Sequence, residues 1–187
     1  MTCKINADTT DGLKIVSDTS GVVEIQANGT KSNNISFTGR IVQTVNTQTG
    51  AVATGTTTMP QDDTIPQNSE GDEYMTLSIT PKSATSTLNI EAHIFYSCTN
   101  STRGGAGLFK DSDANALAFT SNFIKDTTSM GNMQVFYSET SGNTTARTYK
   151  IRCGILQTSG TFTFNGQSGN RKFGGTTLST IRILEIA

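Results

Sequence analysis

The sequence predicts an all-β chain, an antiparallel two-sheet jelly roll preceded by a small N-terminal β-hairpin module, and three observations lead there. Apolar and polar residues alternate with period two in short runs, while no segment sustains the i, i+3, i+4, i+7 apolar pattern of a helix. Thr fills 33 of the 187 positions and is joined by nine Phe and four Tyr, β-branched and aromatic side chains that suit a pleated surface. Clusters of Gly, Asn, Ser and Asp separate the runs, as turns should.

The first element is a hairpin over residues 12–28, with Leu13 to Val16 and Val22 to Ala27 flanking Asp18-Thr19-Ser20-Gly21. Two strands alone are marginal in water, so this module must order against something else. Residues 28–34 read as a linker. Strands then follow at 36–45, 51–58, 74–80, 87–97, 105–110, 132–139, 146–156 and 177–186, with shorter pieces near 115–120 and 161–164. Eight or more antiparallel strands in about 150 residues fit a jelly roll. The expected division is a hairpin and linker over residues 1–34 and the jelly roll over residues 35–187.

Within these strands the alternation assigns faces. Leu88, Ile90, Ala92, Ile94 and Tyr96 form one face of 87–97, and Asn89, Glu91, His93, Phe95 and Ser97 the other. In 146–156, Tyr149, Ile151, Cys153 and Ile155 point inward, opposite Lys150 and Arg152. The last strand is apolar on both faces, with Ile181 and Ile183 on one and Leu184 and Ile186 on the other, Leu178 preceding them. Leaving one of these faces in water forfeits roughly 25 cal/mol per Å². A neighbouring subunit covers it economically; a loop of the same chain is the alternative. Phe95, Leu184 and Ile186 are the expected subunit-interface residues.

Charge excludes several classes. Lys and Arg number 14 against 15 Asp and Glu, so the net charge is -1 and no basic footprint for nucleic acid or anionic lipid is present. No apolar run approaches the roughly 20 residues of a membrane span. Met1 leads into a polar stretch, and the sequence predicts no export signal. Three cysteines, Cys3, Cys98 and Cys153, are too few and too scattered for a disulfide framework or a zinc site; a Cys98–Cys153 pair is the one conceivable bridge.

Chemical motifs are scarce. His93 is the sole imidazole, with no nucleophile elbow or nearby cysteine. Asp111-Ser112-Asp113-Ala114-Asn115 copies half of a calcium loop, but Ala116 stands where Gly is needed and Asn122 where a bidentate Glu is needed, so it reads as a turn. Asp62, Asp63, Glu70, Asp72 and Glu73 form an acidic stretch without a cation between residues 59 and 73, solvated or, around a threefold axis, attractive to divalent cations. No carboxylate pair is singled out for glycan cleavage. Arg103-Gly104-Gly105-Ala106-Gly107 reads as a loop tip. The chain is expected not to be an enzyme and to need no cofactor.

Several segments carry a family resemblance. The run from Asp72 to Ile90, centred on Ile79-Thr80-Pro81-Lys82-Ser83-Ala84-Thr85-Ser86, resembles a hairpin of tailed-phage virion proteins with a tumour-necrosis-factor-like jelly roll. Ala146 to Ile151 and Leu178 to Ile186 are similar to the late strands of that group, and Asp11 to Gly29 resembles its short N-terminal module. The resemblance implies a virion location and a homotrimer, serving either as capsid decoration (cement or head fibre) or as a receptor-binding tail-fibre tip or adaptor. Decoration is the first expectation, because about 34 residues before the globular domain leave no shaft. The partner would be the major capsid protein or another virion protein, with Leu13, Ile15, Val23 and Ile25 as candidate capsid-binding residues. In the fibre reading, loops 99–107 and 165–176 would meet a host surface receptor. A secreted trimeric signalling ligand is the third reading, and it requires an export signal.

Overall fold

A computed structural model describes residues 39–156 and 159–187, together with the backbone of 26–27 and 30–31. The chain forms two compact units, Met1–Phe37 and Thr38–Ala187. In the first, β1 (Gln26–Ala27) pairs antiparallel with β2 (Thr30–Lys31). Thr30 and Lys31, expected as linker, are therefore a strand. Leu13, Ile15, Val23 and Ile25 lie outside the described residues.

The second unit contains β3 (Ile41–Thr49), β4 (Ala53–Gly55), β5 (Asp72–Ile79), β6 (Thr87–Cys98), β7 (Thr102–Lys110), β8 (Ala118–Ile124), β9 (Gly131–Thr140), β10 (Arg147–Ile155), β11 (Phe162–Phe164), β12 (Gly166–Gln167), β13 (Asn170–Arg171) and β14 (Ser179–Ile186). One sheet runs β5-β10-β7-β8; the other carries β3, β14, β6 and β9 in that order, with β11 and β4 extending it beside the end of β6. All pairings are antiparallel, and successive strands cross between the sheets from β4 to β7 and again from β8 to β11, a winding of the jelly-roll kind. No described helix is long and apolar enough to cross a membrane.

The predicted inner faces make the core. Leu88, Ile90, Ala92, Ile94 and Tyr96 of β6 and Ile181 and Ile183 of β14 pack against Tyr149, Ile151, Cys153 and Ile155 of β10, all buried. Tyr96 stacks on Phe162 with ring centroids 5.1 Å apart and donates its hydroxyl to the Asn122 carbonyl at 2.7 Å. Cys98 and Cys153 are buried free thiols, so the conceivable bridge does not form; burial pushes Cys98 up to about 12 and Cys153 higher still.

One expectation is corrected. The Arg103 to Gly107 run is strand β7, not a loop tip. Its glycines give close approach: a Cβ on Gly104 would lie 2.2 Å from the Tyr96 ring and one on Gly105 2.5 Å from the Phe119 ring.

Strand register also sorts the connections into two ends. Turns 80–86, 111–117 and 141–146 share one end with the start of β3 and the end of β14. There Gly39 donates to the Ala187 carbonyl at 2.7 Å and Ala187 to the Arg40 carbonyl at 2.9 Å. Residues 99–101, 125–130 and 165–178 occupy the opposite end.

Candidate functional site

The side of the β3-β14-β6-β9 sheet turned away from the core is the leading candidate, and its composition follows from the register. Leu184 stands between Thr44 and Asn89, and Ile186 between Ile41 and Thr87, with a bulge where β14 passes Glu185 and Ile186. Phe95 lies farther along β6, opposite Asn132. All three expected interface residues thus share this face, and all three are half-buried. His93 occupies the middle of the same face, also half-buried, between Thr180 and Gln134.

The alternation that places Leu184 outward also places Phe136 outward, opposite Glu91, and Phe136 is 59% exposed. Ile41 is 54% exposed beside Ile186. Neither was singled out from the sequence, although Val135 and Tyr137 on the inner side already imply an outward Phe136. A hollow of about 230 Å³ opens here, with Asn89, Glu91, Phe136, Ser138 and Leu184 in its lining. Polar groups on this face pair with one another: Arg182 bridges to Glu91, and Ser138 donates to Asn89 at 2.6 Å. Ile41, Phe136, Leu184 and Ile186 thus form an apolar patch bordered by paired polar groups at one end of the face, a composition suited to a protein contact.

A second apolar patch lies elsewhere. Residues 56–71 cross the outer side of the other sheet, where Met59 donates to the Ile155 carbonyl at 2.9 Å and packs with Phe109 and Leu156. Beside this strap a groove of about 320 Å³ is lined by Ile65, Pro66, Ala116, Ala118 and Phe119, with Asp62 and Asp63 at its rim. Ile65, Phe119 and Phe123 are all exposed.

The other sequence candidates resolve into local structure. Four of the five carboxylates of 62–73 serve separate tasks. Asp62 caps Thr64, whose hydroxyl and N–H hold that carboxyl below its ordinary range. Glu70 accepts from the Gln67 N–H at 3.0 Å, Asp72 from the Thr57 hydroxyl at 2.8 Å, and Glu73 lies 3.7 Å from Lys150 and 3.8 Å from Arg152. Among the described residues no group of three or more His, Cys, Asp or Glu is placed to hold a metal. The Asp111 to Asn115 turn is clasped by the strap: Asn68 donates to the Ala114 carbonyl at 2.7 Å and the Gln67 amide to Asn115 at 2.9 Å.

A polar cluster at the end where the chain enters the sandwich was not foreseen. Glu139 receives Lys110 at 2.9 Å, lies 3.6 Å from Arg147 and accepts the Tyr149 hydroxyl, at the floor of a cleft of about 270 Å³. Burial alone would raise the Glu139 carboxyl, but the Tyr149 and Lys110 hydrogen bonds and the Lys110 and Arg147 charges outweigh it and hold the group below the usual carboxylate range. The cations and the carboxylate satisfy one another, so the arrangement closes the end of the sandwich rather than leaving a nucleophile or an acid free.

No protein-family model matches the sequence, and no curated protein matches it. Among solved structures, the chain is similar to the Eiger TNF of S. frugiperda at 9% identity and TM-score 0.41, over 79% of this chain and 94% of that one. It is similar to infectious bursal disease virus, Gx strain, at 12% identity and TM-score 0.34, over 87% of this chain and 45% of that one. It is also similar to the enzymatically active domain of bacteriophage CBA120 tailspike protein 4 at 18% identity and TM-score 0.26, over 67% of this chain and 19% of that one. Likeness at these identities concerns the fold alone.

Proposed function

We propose that this chain is a non-enzymatic structural protein of a phage virion, a homotrimer that decorates and stabilises the capsid surface. The observation that supports assembly most directly is the outer face of the β3-β14-β6-β9 sheet, where Ile41, Phe136, Leu184 and Ile186 gather beside internally paired polar groups and Phe95 lies farther along the same face. Burying such a patch against a neighbour gains roughly 25 cal/mol per Å². The second patch at Ile65, Phe119 and Phe123 is different in composition and lies on the other sheet, a pattern suited to a head-to-tail ring. The virion setting rests on the sequence resemblance of 72–90, 146–151 and 178–186. In this reading residues 1–34, through Leu13, Ile15, Val23 and Ile25, hold the particle, and trimers bridge neighbouring capsomers so that internal pressure must break their contacts too.

Two measurements test it. Sedimentation of the full chain should give three times the 19.9 kDa of one copy. Immunogold electron microscopy with antibody to residues 35–187 should label heads. Gold confined to tails would transfer the protein to the fibre-tip or adaptor role in host adsorption; unlabelled particles with an accessible epitope would reject a virion role.

A further inference from the structure

The loop end opposite the point where the chain enters the sandwich carries a residue in a costly conformation. Lys172-Phe173-Gly174-Gly175 is a tight turn closed by the Gly175 N–H donating to the Lys172 carbonyl at 2.8 Å. Both central residues have positive φ, 48° at Phe173 and 66° at Gly174, the combination that turns ordinarily fill with Asn-Gly or Gly-Gly. A bulky aromatic residue there is a conformational outlier that Gly or Asn would relieve. The ring gains nothing from packing in return, since Phe173 is 74% exposed. Thr176 fixes the turn, its hydroxyl donating to the Phe173 carbonyl at 2.8 Å. Strain retained without a packing return belongs to a site that contacts something outside the chain.

The charge around this ring is one-sided. Arg171 and Lys172 directly precede Phe173, and Arg171 is exposed. The neighbouring 125–130 loop, joined to β12 by Gln167 donating to the Thr127 carbonyl at 3.3 Å, adds an exposed Lys125. Its one carboxylate, Asp126, is engaged by the Thr128 N–H at 2.9 Å and the Thr128 and Ser129 hydroxyls at 2.7 and 2.9 Å.

We propose that the 171–173 tip binds an anionic glycan, with the Phe173 ring against the C–H face of a sugar and Arg171 and Lys172 on its acidic groups. A ring supplies apolar contact to a pyranose, and flanking cations select carboxylate- or phosphate-bearing polymers over neutral ones. The proposal stands on the loop itself and applies equally to a head or a tail location.

Isothermal titration of the full-length protein with polygalacturonate, with phosphomannan and with neutral dextran tests it, the first two separating carboxylate from phosphate as the acidic group. Binding to at least one anionic polymer, weakened by salt and absent with dextran, is expected. Phe173→Gly should weaken it at least tenfold while raising Tm by about 2 °C through release of the turn. Phe173→Tyr should keep binding, and the double variant R171Q/K172Q should lose it at unchanged Tm. No binding to either anionic polymer, equal binding to dextran, affinity untouched by Phe173→Gly, or a lowered Tm in that variant would each overturn the proposal.

Discussion

At the scale of the residue, Asn165 ties more backbone together than any side chain picked out from the sequence. It is buried, sits at φ 54°, and donates its amide to the Thr49 and Ala51 carbonyls at 2.7 and 3.2 Å. Its amide oxygen accepts the Ser179 N–H at 3.1 Å and hydroxyl at 2.6 Å, and its own N–H reaches the Phe95 carbonyl at 2.9 Å. Asn tolerates the left-handed region and offers both donors and an acceptor, which is why it fits. Asn165→Ala strands the half-buried Thr49 carbonyl and the buried Ser179 and should cost about 2–4 kcal/mol in urea unfolding, at the rate of about 1–3 kcal/mol per orphaned group. The sequence shows only an Asn-Gly pair after a short strand; nothing local reveals that three other strands converge on it. Glu139 makes a pH-dependent prediction. A carboxyl held below its unfolded value of about 4 contributes stability that is present above that value and is lost as pH falls through the folded one. Glu139→Gln should therefore lower the unfolding free energy measured in urea near pH 7 by about 1–3 kcal/mol, and the gap to wild type should shrink steadily on acidification toward about pH 3.

At the scale of the element, alternation made the strands legible and glycine obscured one of them. The expected 87–97 and 146–156 correspond to β6, Thr87–Cys98, and β10, Arg147–Ile155, because each carries an unbroken period-two pattern against a continuous core. β7 was shortened at its start because Gly104, Gly105 and Gly107 resemble a turn when their neighbours are unknown. Their meaning lies in what crosses them: on the outer side Phe119 and Leu156 fill the space beside Gly105, and Phe109 and Met59 that beside Gly107, while on the inner side the Tyr96 ring fills that beside Gly104. Gly154 on β10 has the same role for the strap, since a Cβ there would lie 2.4 Å from the Thr57 carbonyl oxygen and 3.2 Å from the Gly71 Cα. Both obstacles are backbone, so Gly154→Ala must displace the strap at a cost of about 1–3 kcal/mol. The expected signature is local. Amide exchange should accelerate at Met59, whose N–H is held by Ile155, while amides of β6 and β14 keep their protection.

At the scale of the whole molecule, the arrangement of the two apolar patches decides what kind of assembly is possible. The two-faced ending from Leu178 to Ile186 made the first patch legible, whereas the second depends on where the strap places Ile65 beside Phe119, which no periodicity encodes. A twofold dimer buries one patch against itself, so a charge in the other patch leaves it intact. A head-to-tail ring joins unlike patches, so a charge in either one breaks every contact. Leu184→Glu and Phe123→Glu are the discriminating variants, since both side chains lie on outer faces and substitution leaves the core of Ile181, Ile183 and Tyr96 untouched. Each variant alone should sediment as a folded monomer with wild-type circular dichroism. Mixed in equal amounts they should form a dimer and no larger species, because a Leu184→Glu copy still offers an intact Phe123 patch to the intact Leu184 patch of its partner, and the one junction so formed cannot close a ring. A dimer retained in the Phe123→Glu variant would instead assign Leu184 and its neighbours to a self-complementary contact, and the trimer reading would fall with it; a trimer retained there would remove Phe123 from the ring contact.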